Sequence, residues 1–360
     1  MGAVMALHLS GPVLVGPEQV RDAAWVVGDR LTFDPPSGDA TTLAGWVLPG
    51  LVDAHCHIGL GPQGEVPAEV ALEQALTDRD AGALLLRDAG SPADTRWVDD
   101  RDDLPVLVRA GRHIARTRRY LRDFADEVEP EQLVAAVRTQ AVRGDGWVKL
   151  VGDWIDRTSG DLAPCWPDDV LGEAITAAHE LGARVTAHCF GEECLAPLVR
   201  AGIDCVEHAT GLTDDTIVML AEHGVAIVPT LINIATFPDI AAAAEDKFPL
   251  YAKHMRALHE RRYRTVGAAH EAGIRVYAGT DAGGSLAHGR VPEEVQELAA
   301  AGLSAREALA AATWEARSWL GRPGLAEGCQ ADLVVYASDP RTDLAALQHP
   351  TAVVLRGVVR

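Results

Sequence analysis

The spacing of apolar residues along the chain changes near residue 50. Residues 1–48 hold short β-type stretches separated by glycine and proline, with no helical period, and this predicts a small sheet. From residue 50 onward, apolar β-rich runs alternate with amphipathic segments, a pattern typical of βαβ units and a parallel sheet. The predicted strands lie at residues 50–57, 83–90, 105–111, 147–152, 184–191, 204–211, 225–231 and 274–284.

Amphipathic segments with a helical period separate these runs. The clearest predicted helices lie at residues 130–143, 167–181, 213–223, 250–272 and 304–320. Eight strands separated by helices predict a (β/α)8 barrel of the TIM type over residues 49–325. Short strands return after the last helix, so we expect residues 1–48 and 326–360 to pair into one small, discontinuous β-sandwich domain.

Composition and charge exclude some classes of function. The 360 residues are 48% apolar, enough for a large core, and 32 Lys and Arg stand against 52 Asp and Glu, a net charge of −20. That charge argues against a nucleic-acid partner, because phosphate backbones are bound by clustered basic residues. No apolar run approaches the roughly 18 residues of a membrane span. We therefore expect a cytoplasmic protein that acts on a small molecule, and a homo-oligomer is compatible with the sequence.

Six potential ligand residues stand at or just past the carboxyl ends of predicted strands, the face where barrel active sites form. Each alone fits a structural role as a hydrogen-bonded or salt-bridged residue, but their coincidence on one face of the barrel favours a metal centre. His55 and His57 are two apart on strand one, so both point to the same side and can share a metal. The six residues are His55, His57, Lys149, His188, His208 and Asp281.

The stretches around these residues carry a resemblance. PGLVDAHCH, the lysine of WVKL, TAHCFG, VEHATG, GTDAGG and the tail GCQADLVVY are similar to the metal-dependent amidohydrolase superfamily over essentially the whole chain. Within it, AHELGARVTAHCFG, AGIDCVEH and VPTL resemble the branch of imidazolonepropionase-related and prolidase-like enzymes, the Xaa-Pro or Xaa-Arg dipeptidases.

This resemblance implies a binuclear zinc centre whose Lys149 is carboxylated by carbon dioxide. An ammonium group between two divalent cations would be repelled, whereas a carbamate is an anionic oxygen ligand. His55, His57, the carbamate and Asp281 would hold one metal, and the carbamate, His188 and His208 the other. Zinc suits these ligands, with manganese or cobalt as substitutes.

The implied reaction is hydrolysis of an amide-type C–N bond, in a dipeptide or an N-acyl amino acid, by a hydroxide that bridges the metals. Asp281 would take the proton of this hydroxide and pass it to the leaving amine.

The sequence departs from the prolidase-like branch after strand three. Where that branch carries a TGGH-type loop, this chain reads ARTRRYL at residues 115–121. We expect Tyr120 to donate a hydrogen bond to a developing oxyanion. Arg116 or Arg118 would meet a substrate carboxylate, and His288 would lie near the mouth of the barrel.

Three other functions remain open. A lactone, ester or phosphotriester hydrolase would share the binuclear centre. A mononuclear deaminase is disfavoured because Lys149 is present and no glutamate stands two or three residues after His188. A non-catalytic scaffold would have lost ligands that this chain keeps.

We assign no function to the cysteines or to the histidines outside the ligand set. The six cysteines include no C-x-x-C pair and do not indicate a disulfide framework. Cys56 and Cys189 should point away from the barrel interior, because adjacent strand residues face opposite sides. His113 and the other histidines outside the ligand set are expected on helix or loop surfaces.

Overall fold

The structure is a computed structural model that describes residues 6–360, so residues 1–5 of the predicted N-terminal sheet lie outside the described residues. The N-terminal part consists of short strands, as the alternation predicted. These are β1 (Ala6–Leu14), β2 (Val20–Val27), β3 (Arg30–Thr32), β4 (Ala40–Ala44) and β5 (Trp46–Pro49).

The central part of the chain supplies the strands of the barrel and two small hairpins. The hairpins are β7–β8 and β14–β15, which are antiparallel. The strands are β6 (Leu51–Cys56), β7 (Leu60–Gly61), β8 (Gly64–Glu65), β9 (Ala83–Asp88), β10 (Val106–Arg109), β11 (His113–Arg116), β12 (Ala125–Val128), β13 (Trp147–Val151), β14 (Asp153–Asp156), β15 (Asp161–Pro164), β16 (Arg184–Cys189), β17 (Cys205–His208) and β18 (Ala226–Val228).

Parallel pairing of these strands forms the barrel wall. One sheet has the order β10-β9-β6 and another the order β12-β11-β13-β16-β17-β18. Seven of the eight predicted strands are present as regular strands. The third predicted strand, residues 105–111, corresponds to β10, and a second strand, β11, follows it directly. β10 pairs with β9, whereas β11 pairs with β13 and β12. Residues 115–116, predicted as part of a loop, therefore belong to a strand.

The eighth predicted strand closes the barrel without being a regular strand. Residues 274–284 hydrogen bond to Ile227 of β18, to Ala54 and His55 of β6, and to His57 directly after β6. A Cβ atom on Gly279 would lie 2.7 Å from the His55 backbone nitrogen, and Asp281 has a φ of 58°. The close approach at Gly279 and the left-handed conformation of Asp281 interrupt the regular β-sheet hydrogen bonding of residues 274–284. The remaining hydrogen bonds still hold this segment between β18 and β6.

Helices cover the outside of the barrel at the predicted places, with one exception. They are α1 (Ala68–Asp80), α2 (Leu133–Arg143), α3 (Asp168–Glu180), α4 (Leu195–Arg200), α5 (Asp214–His223), α6 (Leu231–Ile234), α7 (Phe237–Ala244), α8 (Pro249–Glu271), α9 (Val291–Ala300), α10 (Ala305–Ala311) and α11 (Trp314–Trp319). Between residues 6 and 360 no helix is both long and apolar enough to cross a membrane.

The exception is the predicted helix 304–320, which is broken between α10 and α11. The carbonyls of Ala311 and Ala312 accept hydrogen bonds from the backbone nitrogens of Ala278 and Val52. Since these carbonyls bind the barrel, they are not available to continue the helical ladder.

Both ends of the chain meet in one β-structure. β19 (Leu333–Tyr336), β20 (Pro350–Leu355) and β21 (Val358–Val359) join the N-terminal strands in the order β21-β20-β19-β5-β1-β2-β3, with β4 beside β1. The sheet curls so that its β3 edge hydrogen bonds to residues 328–331. It encloses a separate apolar core that includes Leu9, Val26 and Leu333. The predicted fold class, a barrel with a β-sandwich built from both ends, is confirmed.

Candidate active site

Three predicted ligands meet at the carboxyl end of the barrel strands. The Nε2 atoms of His55 and His57 lie 3.2 Å apart, and each lies 3.0 Å from Oδ1 of Asp281. Both histidine side chains are almost fully buried. His55 lies in β6 and His57 directly after its end, and the closing segment 274–284 carries the aspartate, so the junction of first and last strands builds this part of the site.

The Nδ1 atoms of His55 and His57 form hydrogen bonds outside this cluster. Nδ1 of His55 lies 2.7 Å from a carboxylate oxygen of Glu207, and Nδ1 of His57 lies 2.6 Å from the carbonyl oxygen of Gly90. Because these partners only accept when Glu207 is ionised, each Nδ1 carries a proton, and in the neutral ring each Nε2 presents a lone pair. Two lone pairs and the Asp281 carboxylate therefore face one another, an arrangement that a cation would satisfy.

The other three predicted ligands adjoin this group. Nζ of Lys149 lies 3.5 Å from Nε2 of His55. The ring of His208 is 5.2 Å from that of His55 and 4.7 Å from that of His188, centre to centre. His55, His208 and Asp281 each place a ligand atom within 4.8 Å of the others. Nε2 of His188 is buried without a hydrogen-bond partner among the described residues, as expected of an atom that binds a metal.

Burial keeps two of the predicted ligands, His188 and His208, neutral. Desolvation is the largest effect on both His188 and His208, and it lowers the pKa of His208 to about 3 and that of His188 well below its usual range. A neutral imidazole is the form that binds a metal.

Left-handed backbone conformations cluster around the site. Two of the predicted ligands, His208 and Asp281, have positive φ angles of 64° and 58°, as do Ala209 at 52° and Thr230 at 48°. Such conformations are costly for residues other than glycine and persist where the surrounding structure enforces them. Thr230 also holds the ring of His208, since its Oγ1 lies 2.7 Å from Nδ1.

A buried ion pair between Glu207 and Arg87 holds the His55 ring through its Nδ1 atom. Glu207 lies between His55 and Arg87, with Oε1 2.5 Å from Nη2 of the arginine, and it also accepts a hydrogen bond from Thr186. Arg87 stacks on Trp147, 4.7 Å from the ring centre. Burial opposes ionisation of Glu207, but Arg87 and His55 outweigh it and hold its pKa well below its usual range.

Asn233 fixes the second oxygen of Asp281. Its Nδ2 donates a 2.7 Å hydrogen bond to Oδ2, so that Oδ1 is left for the two histidines. Burial raises the pKa of Asp281, but His55 and His57 outweigh it and hold that pKa well below its usual range. His55 can do so because, against the effect of burial, Glu207 and Asp281 raise its own pKa, so without a bound cation the ring takes up a proton. The aspartate is therefore anionic, the form required of a ligand or a general base.

A cavity of about 590 Å³ opens above these residues and reaches His57, His188 and Asp281. Its wall is largely aromatic and aliphatic, including Tyr120, Phe124, Trp154, Phe190, Phe248 and Tyr251. Tyr120 lies within the site as predicted, with its ring 5.7 Å from that of His188. Burial raises the pKa of its phenol, so the hydroxyl keeps its proton and can donate it in a hydrogen bond.

The three predicted substrate contacts are not among the residues that line this cavity. Arg116 donates a 3.3 Å hydrogen bond to the carbonyl of Cys165. Arg118 is exposed, and its backbone nitrogen donates to Glu127. His288 is bound through Nδ1 to Asp78, 2.8 Å away. The geometry thus gives no support to these three contacts, because each residue is placed or engaged elsewhere.

Sequence reasoning missed four residues around the site: Arg87, His113, Glu207 and Asn233. His113 was expected on a helix or loop surface, and this was wrong: it is buried and stacks on His57 at 4.9 Å between ring centres. Arg87 and Glu207 interrupt apolar strands with a charge, a signal that each needs a buried partner. Asn233 follows the seventh strand, from which no site residue was expected.

One expectation about the cysteines was also wrong. Cys189, assigned no role, forms a disulfide with Cys194. The bond closes the turn that follows His188, a turn whose backbone nitrogens at Phe190 and Gly191 donate to buried Asp153. Cys56 is a free, buried thiol, in keeping with its expected structural role.

Comparison with known proteins agrees with this architecture. The sequence profile of the amidohydrolase family matches residues 102–360, which leaves the His55 and His57 pair outside the matched region. An uncharacterised protein of Mycobacterium tuberculosis is 58% identical over 353 residues, 98% of this chain and 95% of that protein. The ochratoxinase of Aspergillus niger is 26% identical over 238 residues, 64% of this chain and 48% of the enzyme.

Solved structures share the fold over nearly the whole length. A crystal structure of a Xaa-Pro dipeptidase with methionine bound superposes with a TM-score of 0.84 at 22% identity, covering 99% of each chain. The Aspergillus niger ochratoxinase structure gives a TM-score of 0.82 at 18% identity, covering 99% of this chain and 95% of that one. The predicted family and its prolidase-like fold are confirmed. The chain belongs to the amidohydrolase family, metal-dependent hydrolases that act on carbon–nitrogen bonds.

Proposed function

We propose that the protein hydrolyses an amide-type bond of a dipeptide or an N-acyl amino acid at a centre of two divalent metal ions. His55, His57 and Asp281 would hold one ion, His188 and His208 the other, and a carboxylated Lys149 would bind both. Zinc is the favoured metal, with manganese or cobalt as substitutes.

One observation carries this proposal: three acceptor atoms converge, and the nearest donor, Nζ of Lys149, lies 3.5 Å from one of them, Nε2 of His55. His55 Nε2, His57 Nε2 and Asp281 Oδ1 lie within 3.2 Å of one another, while the donors of both rings are used by Glu207 and Gly90. Such a cluster is electrostatically unfavourable by itself and favourable around a cation. The buried, unpartnered Nε2 of His188 extends the same argument to the second ion.

The environment of Lys149 supports carboxylation. Its side chain is buried, and this desolvation lowers its pKa, which favours the neutral amine. The neutral amine adds to the carbon of carbon dioxide and releases one proton, so that the nitrogen–carbon bond formed gives an anionic carbamate. Neutral Lys149 thereby becomes an oxygen ligand without leaving an ammonium group beside the histidines.

Two residues of the chain, Asp281 and Tyr120, would then take separate roles in the reaction. Bound divalent metal would supply Lewis acidity, which lowers the pKa of water and polarises a carbonyl. Asp281 Oδ1, held in place through Asn233, would accept the proton of the attacking water and return it to the leaving nitrogen. Tyr120, protonated in the cavity wall, would donate a hydrogen bond to the developing oxyanion.

Metal stoichiometry provides the test. Wild type, Lys149→Ala and the control Lys247→Ala would be expressed with zinc and bicarbonate and analysed for bound metal. Lys247 lies at the exposed rim of the cavity and serves as a lysine removed from the ligand cluster. We expect about two ions per chain in wild type and control, and a sharp fall in Lys149→Ala. One ion per chain, unaffected by the loss of Lys149, would overturn the carbamate and favour the mononuclear deaminase.

Substrate tests follow from that result. Metal-loaded protein would be incubated with a panel of dipeptides and N-acyl amino acids, and amine release would be measured. Release that depends on both metal and Asp281 would support the proposal. Turnover confined to lactones or phosphotriesters would contradict the choice of an amide bond.

A further inference from the structure

The cavity wall opposite the ligand residues is built from a different part of the chain than the barrel strands. Helix α7 and the start of α8 form it, together with the hairpin residues Trp154 and Ile155. Among the cavity-lining residues, Asp281 at the base is the one carboxylate and Lys247 the one lysine or arginine. Lys247 is exposed at the rim, so the aromatic and aliphatic part of the wall, apart from the proposed metal centre, offers no cation to an ionised group of a substrate.

This distribution of charge selects against ionic groups. Burying an ion among aromatic and aliphatic side chains without a partner is costly. The arginines expected to meet a carboxylate do not line this wall: Arg116 donates to the carbonyl of Cys165, and Arg118 is exposed. A neutral apolar group, by contrast, gains free energy in proportion to the area that it buries. The exposed apolar side chains of Leu121 and Ile240 continue the same surface to the mouth of the cavity.

Small side chains on helix α7 leave space in the cavity next to this wall. Ile240, Ala243 and Ala244 lie three and four residues apart, so they share the face that lines the cavity, while Phe237 and Ala241 pack into the core. The sequence FPDIAAAA places methyl groups at two of the three positions of the lining face. A larger side chain at either alanine would project into the space above the site.

We infer that the cavity receives a neutral, bulky apolar group of the substrate, aryl or branched alkyl, and that Ala243 and Ala244 on α7 set the size that it accepts. This inference rests on the proposed function for its substrate, an N-acyl amino acid whose acyl group occupies the cavity. It favours such a capped substrate over a dipeptide that carries a free ammonium group beside the scissile carbonyl.

Binding of a compound that cannot be hydrolysed tests the cavity apart from catalysis. Calorimetric titration of the metal-loaded protein would compare 2-acetylnaphthalene, a neutral ketone, with 6-acetylnaphthalene-2-sulfonate, which adds one negative charge on a group that binds metal ions only weakly. The same titration would be run on Ala244→Phe and on Ala242→Phe. Ala242 is the matched control, because it is exposed on the same helix and does not line the cavity.

We expect the neutral ketone to bind at least tenfold more tightly than the sulfonate, Ala244→Phe to weaken its binding at least tenfold, and Ala242→Phe to leave it unchanged. Equal affinity for the two compounds, or equal affinities of the two variants, would overturn the inference.

A parallel assay separates this inference from the proposed function. Acetyl-, benzoyl-, naphthoyl- and succinylglycine would be offered to the same proteins. Ketone binding without hydrolysis of any of these would count against the proposed function and leave the cavity inference standing. Hydrolysis that favours succinyl, or that Ala244→Phe leaves independent of acyl size, would overturn the cavity inference alone.

Discussion

Nδ1 of His55 lies 2.7 Å from Oε2 of Glu207, so a predicted metal ligand from the first barrel strand is held by a carboxylate from the sixth. The carboxylate is itself held by Arg87 from the second strand. A carboxylate behind a histidine fixes its tautomer and makes the opposite nitrogen a better ligand. The ion pair therefore connects the core of the barrel to the proposed metal centre.

Replacing Glu207 with glutamine should weaken metal binding by roughly 10- to 100-fold, because the ring loses the anion that orients it. Titration with a competing chelator measures this affinity. The substitution also leaves buried Arg87 without its anion, so the variant should lose about 3–5 kcal/mol of stability. Glu315→Gln, on the outer surface of α11, is the control and should alter neither property. A folded Glu207→Gln protein with wild-type metal affinity would contradict the role given to this carboxylate.

Asp281→Asn should reduce turnover by roughly 10²- to 10⁴-fold per bound metal, since an amide cannot accept the proton. Metal content and amine release would be measured on the same preparation, so that loss of ligand and loss of base are distinguished. Asn233→Ala should have a smaller effect, because it removes only the hydrogen bond that orients Oδ2. Wild-type turnover per metal in Asp281→Asn would remove Asp281 from proton transfer.

Tyr120→Phe should lower kcat about 10²-fold while metal content stays unchanged, because the ring remains and only the hydroxyl donor is lost. Steady-state kinetics on the best substrate of the panel measures the effect. Tyr251→Phe, on the same cavity wall, is the matched control and should keep its kcat. Equal kcat values for the two variants would show that the Tyr120 hydroxyl does not act on the reaction.

His254 makes stability depend on pH in a predictable direction. Its ring lies 2.9 Å from Glu192 and 3.0 Å from Asp161, and the hydrogen bond to Glu192 is the largest cause that raises its pKa from 6.5 to about 9. A pKa raised in the folded state adds stability that is fully present below pH 6.5 and is lost as the pH rises through about 9. Since the side chain is partly exposed, we expect a contribution of about 1–2 kcal/mol.

Urea unfolding of wild type and His254→Gln between pH 6 and pH 10 checks this expectation. The difference in unfolding free energy should be largest at pH 6 and should shrink toward pH 10. His223→Gln, whose exposed ring bonds a backbone carbonyl on its own helix, controls for the loss of an imidazole. A difference that is constant over this pH range would exclude the charged form of His254 as its source.

The sequence was most informative where local pattern determines position. His55, His188 and His208 stand at or near the end of an apolar run, and such ends meet on one face of a parallel barrel, so these predicted ligands could be found without knowing any contact. Lys149 lies inside its strand and was found through the resemblance of WVKL to the family. The same logic failed for Glu207 and Arg87. Their charges lie within strands, and only the folded barrel shows that the two neutralise each other.

Irregular structure was the other source of error. The closing segment at Asp281 and the break between α10 and α11 both arise from contacts between residues far apart in the chain. The disulfide of Cys189 joins residues near in sequence, but their pairing depends on the turn after β16 that brings them together. Arg116 and His288 were assigned by their proximity to predicted loops, whereas the direction of each side chain is set by partners in the folded chain.

The shared sheet at the two chain ends bears on how the molecule is made. Val47 of β5 pairs with Val335 of β19, and the entire barrel lies between them in the sequence. During synthesis the N-terminal strands leave the ribosome first, yet this edge of β5 stays without its partner until the barrel has been translated. We expect the nascent N-terminal strands to need shielding from other chains during that interval, and the sheet to be the last part of the protein to assemble.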